Sequence, residues 1–121
     1  MGARDEQVRA RATVTMGEEA FGELSGTALW WLTNAGFLIN SHGTRLMIDP
    51  AISLAEGGDG AHETGHRLLV PLPIRAQDVP GLEAVLYTHG DYDHFAPTSA
   101  RALAVSSVTF VPHTILANTG I

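Results

Sequence analysis

Apolar residues in this chain fall into short runs separated by turn residues, a β-like pattern over most of the middle. Ala28 to Leu32 is bulky and apolar, Asn34 to Gly36 interrupts it, and Phe37 to Ile39 is a second run. Asn40-Ser41-His42-Gly43 is a turn cluster in which Gly43 can take positive φ. Thr44 to Ile48 is a third run, stopped by Asp49-Pro50. The pattern predicts a hairpin of Phe37–Asn40 against Thr44–Ile48, with a Leu29–Leu32 strand beside it. Trp30 and Trp31 then point to opposite faces, one into the core and one outward. The glycine-rich stretch 53–67 reads as a long surface loop. Leu68 to Ile74 carries Pro71 and Pro73, so it is extended but no central strand. Leu82–Tyr87 reads as a buried strand, Pro97-Thr98 opens a helix through Ala104, and Val108–Val111 is a strand ended by Pro112. A second helix is expected from about His113 to a C-cap at Asn118-Thr119-Gly120. Residues 1–24 form a poorly defined N-terminal segment: Val14, Met16, Phe21 and Leu24 fit neither period.

The resulting order is three strands, a long loop, a strand, a helix, a strand and a helix. Its C-terminal half has the strand–helix–strand rhythm of an α/β protein. At 121 residues the chain has the size of one domain. It contains no cysteine, which excludes a disulfide scaffold, thiolate-bound metals and a thiol nucleophile. All seven basic residues are arginine, so a Schiff-base or phosphate-loop lysine is excluded too. The net charge of −6 argues against a nucleic-acid partner. No run approaches the roughly 20 apolar residues that span a bilayer, and the N-terminus lacks the apolar core of an export signal. The expectation is a cytoplasmic protein with a small-molecule substrate and no membrane partner.

The chemistry concentrates after the Leu82–Tyr87 strand. His89, Asp91, Asp93 and His94 place four ionisable groups within six residues, where open α/β sheets bind their ligands. Imidazole nitrogen and carboxylate oxygen suit zinc, iron and manganese. In an extended loop His89 and Asp91 would point the same way. Tyr92, inside the same stretch, either packs or faces a substrate. A second candidate, His62-Glu63-Thr64-Gly65-His66, fits the letters of a zinc-protease H-E-x-x-H motif. That motif works only on a helix, and the surrounding glycines argue against one. The segment is instead expected to be a mobile loop beside the pocket, its histidines available to substrate. Ser99, Ser106 and Ser107 have no neighbouring base, so no serine nucleophile is proposed.

The stretch Thr88-His89-Gly90-Asp91-Tyr92-Asp93-His94-Phe95 resembles the H-x-H-x-D-H metal loop of the metallo-β-lactamase fold. Gly36 to Ile39, the turn, and Leu46 to Pro50 resemble that fold's opening hairpin, which closes on an aspartate. Trp31-Leu32, Ala35 to Ile39 and Ile48 to Pro50 are similar to the branch containing L-ascorbate-6-phosphate lactonase-like hydrolases. The resemblance implies the N-terminal half of an αββα sandwich, a four-layer α/β arrangement, over residues 25–121. It also implies one or two divalent ions: zinc, manganese or iron. His89 would be a metal-1 ligand. Asp93 and His94 would serve metal 2, with Asp93 alternatively a catalytic proton acceptor. Asp49 would support the metal loop from behind. The activity implied is hydrolysis of an ester, lactone or phosphodiester by metal-activated water.

Two departures from the family pattern matter. Asp91 stands where the pattern has its second histidine. As a harder, charged ligand it would bias the site towards manganese, iron or magnesium; as a non-ligand it would leave one metal. The fold's remaining ligands come from a second half, and His113 is not placed to replace them. The chain is therefore expected to be a partial domain, inactive by itself. The alternative is a non-catalytic half-domain whose uncovered sheet face pairs with itself, as a homo-oligomer, or with a partner.

Overall fold

The structure, a computed structural model, describes residues 15–55, 61–65, 68, 70–88, 90–91, 94–105 and 108–111. Its frame is one mixed five-stranded sheet: β1 (Thr27–Trp31), β2 (Phe37–Ser41), β3 (Thr44–Ile48), β4 (Ala84–Leu86) and β5 (Thr109–Val111). Strands lie side by side in chain order. β1–β2 and β2–β3 are antiparallel, whereas β3–β4 and β4–β5 are parallel. Among the described residues one α-helix, α1 (Pro97–Leu103), lies between the parallel strands β4 and β5. This α+β arrangement matches the expected order, although the helix predicted near His113 lies outside the described residues.

Local chemistry explains the hairpin. Ser41 pairs with Thr44, so the β2–β3 turn has two central residues, His42 and Gly43, at φ 52° and 92°. Two consecutive left-handed residues match the twist of the flanking strands. The Asn40 side chain accepts from Gly43 N–H at 2.9 Å and donates to the carbonyls of Ala20 and Gly22. That last contact ties the N-terminal approach to the sheet. Met16, Ala20 and Phe21 are buried through a 3-10 turn at Glu18–Phe21, and Met16 N–H donates to Pro73 O at 2.9 Å. Residues 16–22 are thus packed structure, and no period was legible because no regular element carries them.

The register separates two faces. Trp30, Leu38, Met47, Val85 and Phe110 form one cross-sheet row facing the core. Leu38, Met47 and Val85 are fully buried, each such burial stabilising by roughly 1.5–3 kcal/mol. Ile52, Ile74, Leu82, Phe95, Ala100 and Leu103 close over this face. On the other face run Leu29, Ile39 and Leu46, and beside them Trp31, Phe37, Ile48, Leu86 and Val111. Leu29 and Trp31 are 61% and 55% exposed, so this apolar face is uncovered at its β1 edge. The two tryptophans diverge as expected; Trp31 anchors its ring by donating from Nε1 to Asn34 O.

Tyr87 leads from β4 towards the candidate site. Its ring meets Phe95 edge-on, centroids 4.9 Å apart, and stacks parallel to Phe110 at 6.3 Å. The buried hydroxyl has no hydrogen-bond partner among the described residues. Burial pushes the phenol's pKa well up, and the nearby Asp49 and Glu63 carboxylates push it further. An unpartnered buried hydroxyl costs about 1–3 kcal/mol. Tyr87→Phe is therefore expected to raise stability by about 1 kcal/mol, read as a higher urea midpoint at unchanged slope.

Candidate metal centre

The ladders that hold the sheet also deliver the site. Asp49 N–H donates to Leu86 O at 2.9 Å, extending the parallel β3–β4 pairing one residue past each strand. Asp49 itself takes φ 47°, a left-handed conformation that Asp tolerates better than most residues. Gly36 sits against its backbone: a Cβ there would lie 3.0 Å from Asp49 O, so this close approach favours glycine.

Asp49 is 1% exposed, and its carboxylate is fully engaged. Thr88 N–H donates to Oδ1 at 2.8 Å. The Thr88 hydroxyl and His94 Nδ1 both donate to Oδ2, at 2.5 and 2.6 Å. Thr88 Oγ1 also lies 3.2 Å from His94 Nδ1. The strand ends of β3 and β4 and the approach to α1 thus converge on one buried carboxylate. In a neutral ring whose Nδ1 proton goes to Asp49, the lone pair falls on Nε2, the nitrogen suited to a metal.

His94 is held from its backbone as well. Asp91 O accepts from His94 N–H at 2.9 Å and from Phe95 N–H at 2.7 Å. Residue 91 therefore initiates a turn, a role for which Asp is favoured. The Asp91 residue is exposed. His89, Tyr92 and Asp93 lie outside the described residues, as do His66 and His113. Among the described residues no three His, Asp or Glu side chains gather at metal-binding spacing. Of the sequence-predicted set, the structure brings His94 and Asp49 together. The imidazole of His94 is a donor type that suits a divalent ion.

The second candidate motif is reassigned. His62 and Glu63 lie on a turn, with His62 in a β-bridge to Leu54, so the zinc-protease helix is absent. His62 is 3% exposed. It donates from Nε2 to Ala51 O at 2.6 Å, and its Nδ1 accepts from Thr64 N–H at 3.3 Å and contacts the Thr64 hydroxyl at 2.7 Å. Both ring nitrogens serve the fold, so this histidine is unavailable to substrate. Glu63 Oε2 accepts from Ser53 N–H at 2.6 Å and from the Ser99 hydroxyl, while Oε1 accepts from Ser99 N–H at 3.0 Å. The described parts of the expected mobile loop are thereby anchored to the core, also through Ala55 N–H to Ala61 O. Ser99 is fully buried, which removes it as a nucleophile despite the neighbouring carboxylate.

Thr88 was missed from sequence, although its place at the strand exit beside His89 was a usable signal. Glu63 and Ser99 carry no local signal for their pairing, since they are 36 residues apart.

A family model described as the metallo-beta-lactamase superfamily matches residues 29–96, more than half of the chain. No curated protein matches it significantly. No helix among the described residues is long and apolar enough to cross a membrane.

Proposed function

We propose, since this chain belongs to the metallo-β-lactamase superfamily, that it carries the first half of a hydrolase's divalent-metal site. His89, Asp91, Asp93 and His94 are its ligands in this reading. The observation that carries it is the 2.6 Å contact between His94 Nδ1 and the buried Asp49 carboxylate. A carboxylate behind a histidine fixes the ring, sets its tautomer and raises its basicity towards a metal. A bound divalent ion would supply acidified water and polarise the electrophilic oxygen of an ester, lactone or phosphodiester. The chain's own part is to orient His94 through Asp49 and Thr88, and to hold Asp91 and His94 in one turn. Asp93 is positioned by sequence to ligate or to take up a proton. The lactonase-like resemblance makes a lactone or sugar-phosphate-sized substrate the first class to test.

A second reading, a half-domain that pairs through its sheet, is favoured by the uncovered face around Leu29 and Trp31. One experiment separates the two. Metal-free protein is titrated with manganese and with zinc in a calorimeter, and the same samples are sized by chromatography. The hydrolase reading expects saturable binding of manganese in preference to zinc, a preference reversed by Asp91→His. A dimer that binds neither ion supports the pairing reading and overturns the first.

A further inference from the structure

We infer that Glu63 is a positioning residue for the Asp49–His94 pair, latching together the two chain segments that carry it. The functional consequence of this latch rests on the proposed metal role of His94, whereas its geometric consequence does not.

Asp49 and His94 come from distant parts of the chain and meet at 2.6 Å. From Asp49 the chain runs through residues 50–53; from His94 it runs into α1 as far as Ser99. Glu63 stands between these two segments and holds both. Its Oε2 takes Ser53 N–H on one side and the Ser99 hydroxyl on the other, and its Oε1 takes Ser99 N–H. Ser99 completes the bridge. With its single proton directed to Glu63, its oxygen accepts from Ile52 N–H at 2.8 Å, and the Ser53 hydroxyl oxygen lies 3.1 Å away. The neighbouring His62 fixes the same segment by donating to Ala51 O. Residues 51, 52 and 53 are thus each tied either to the 62–63 dipeptide or to Ser99.

A capping role alone accounts for the Ser99 N–H contact, since Ser99 is the third residue of α1 and needs an acceptor. It does not account for the grip on Ser53 N–H or for the Ile52–Ser99 bond, which join α1 to the Asp49 segment. A hydrogen bond of 2.6 Å has little tolerance for displacement, so releasing the two segments should disturb the Asp49–His94 pair before it unfolds the sheet. The carboxylate is required because all its contacts are donors. An amide of the same shape would turn an NH2 group towards one of them.

The test is nitrogen-15 NMR of histidine-labelled chain, comparing wild type with Glu63→Gln and Ser99→Ala, followed by manganese titration of each. In wild type the His94 Nδ1–H signal is expected at the position of a strong hydrogen bond to carboxylate. Glu63→Gln should shift or broaden that signal while the backbone spectrum stays dispersed, and should weaken manganese binding about tenfold. Ser99→Ala keeps the N–H contact to Glu63 and should show the same change to a smaller extent. It decides the question if Glu63→Gln fails to fold. A cap with purely structural effect would lower the melting temperature and leave the His94 signal unmoved; that result overturns the latch. If wild type binds no manganese, the metal reading fails, and the His94 signal still decides whether Glu63 positions the pair.

Discussion

Replacing Asp49 by asparagine is expected to weaken divalent-metal binding 10- to 100-fold while leaving the chain folded. The expectation follows from how the carboxylate is used. Oδ1 receives Thr88 N–H, and Oδ2 receives both the Thr88 hydroxyl and His94 Nδ1–H. Asparagine tolerates the left-handed backbone at this position nearly as well as aspartate. Its oxygen can still accept from Thr88 N–H. Its NH2 group, however, then faces His94 Nδ1–H and cannot accept from it, whereas the Thr88 hydroxyl can rotate to accept. His94 loses the partner that fixes its proton on Nδ1, and with it the tautomer that the proposed metal role of Nε2 requires. Asp49→Ala should go further, because it leaves three donors unmatched and places a Cβ-only residue at φ 47°. A loss of about 2–4 kcal/mol is expected for that variant. Calorimetric titration with manganese reads the first effect and urea denaturation the second. Metal affinity within twofold of wild type in Asp49→Asn would separate this carboxylate from the metal site.

How far the site could be read from sequence depends on whether the contact is local. The β2–β3 hairpin was legible from its two apolar runs and the turn cluster between them; Gly43 takes the expected positive φ, and His42 joins it in a turn shorter than the cluster. The strand bounds moved by one or two residues, as at β1, which ends at Trp31. Leu32 turns into the core instead, its N–H closing onto Gly36 O at 2.8 Å. Met16 and Phe21 were not legible, since irregular chain buries them without a period. The His62-Glu63 pair was misread for a related reason. Glycines and polar residues around it signalled an exposed loop, and only the fold reveals that Ala51 O, Ser53 N–H and Ser99 wait beneath it. The link from Asp49 to His94 spans 45 residues. No spacing rule reaches that far; family resemblance alone pointed to it, and the parallel β3–β4 ladder is its physical cause.

The same physics bears on the glycine at position 36. Gly36 lies against Asp49 O, with Thr33 and Asn34 before it at φ 76° and 48°. Three of the four non-glycine residues with positive φ among those described, namely Thr33, Asn34 and Asp49, therefore belong to segments meeting at this close contact. Backbone conformations of this kind persist only where surrounding contacts over-determine them. Here the contacts are the Gly36 N–H to Thr33 O bond and the Leu32–Gly36 bond on one side, and the Asp49–Leu86 bond on the other. The carboxylate that serves His94 is thus placed by the sheet's end as a unit.

Asp93→Ala is expected to abolish metal binding by the chain and any hydrolytic turnover that depends on it. Asp93 separates two residues of distinct duties: His94, held by Asp49, and Asp91, whose carbonyl closes the turn onto His94 and Phe95. Neither duty makes up for the loss of Asp93 as a proposed ligand; Asp91, itself a proposed ligand, also closes the turn through its backbone carbonyl. Asp91→Ala keeps that carbonyl and should retain measurable affinity, which makes it the matched control. The readout is thermal. A ligand bound to the folded chain at 100 times its Kd stabilises it by about 2.7 kcal/mol, worth about 10 °C or more in a domain of this size. Wild type should show that rise on adding manganese, Asp91→Ala a reduced one at higher concentration, and Asp93→Ala none. Melting without metal should be alike in all three, since neither substituted residue belongs to the Leu38–Met47–Val85 core. An undiminished manganese shift in Asp93→Ala would remove Asp93 from the ligand set and leave its alternative role, that of proton acceptor, to be read from turnover alone.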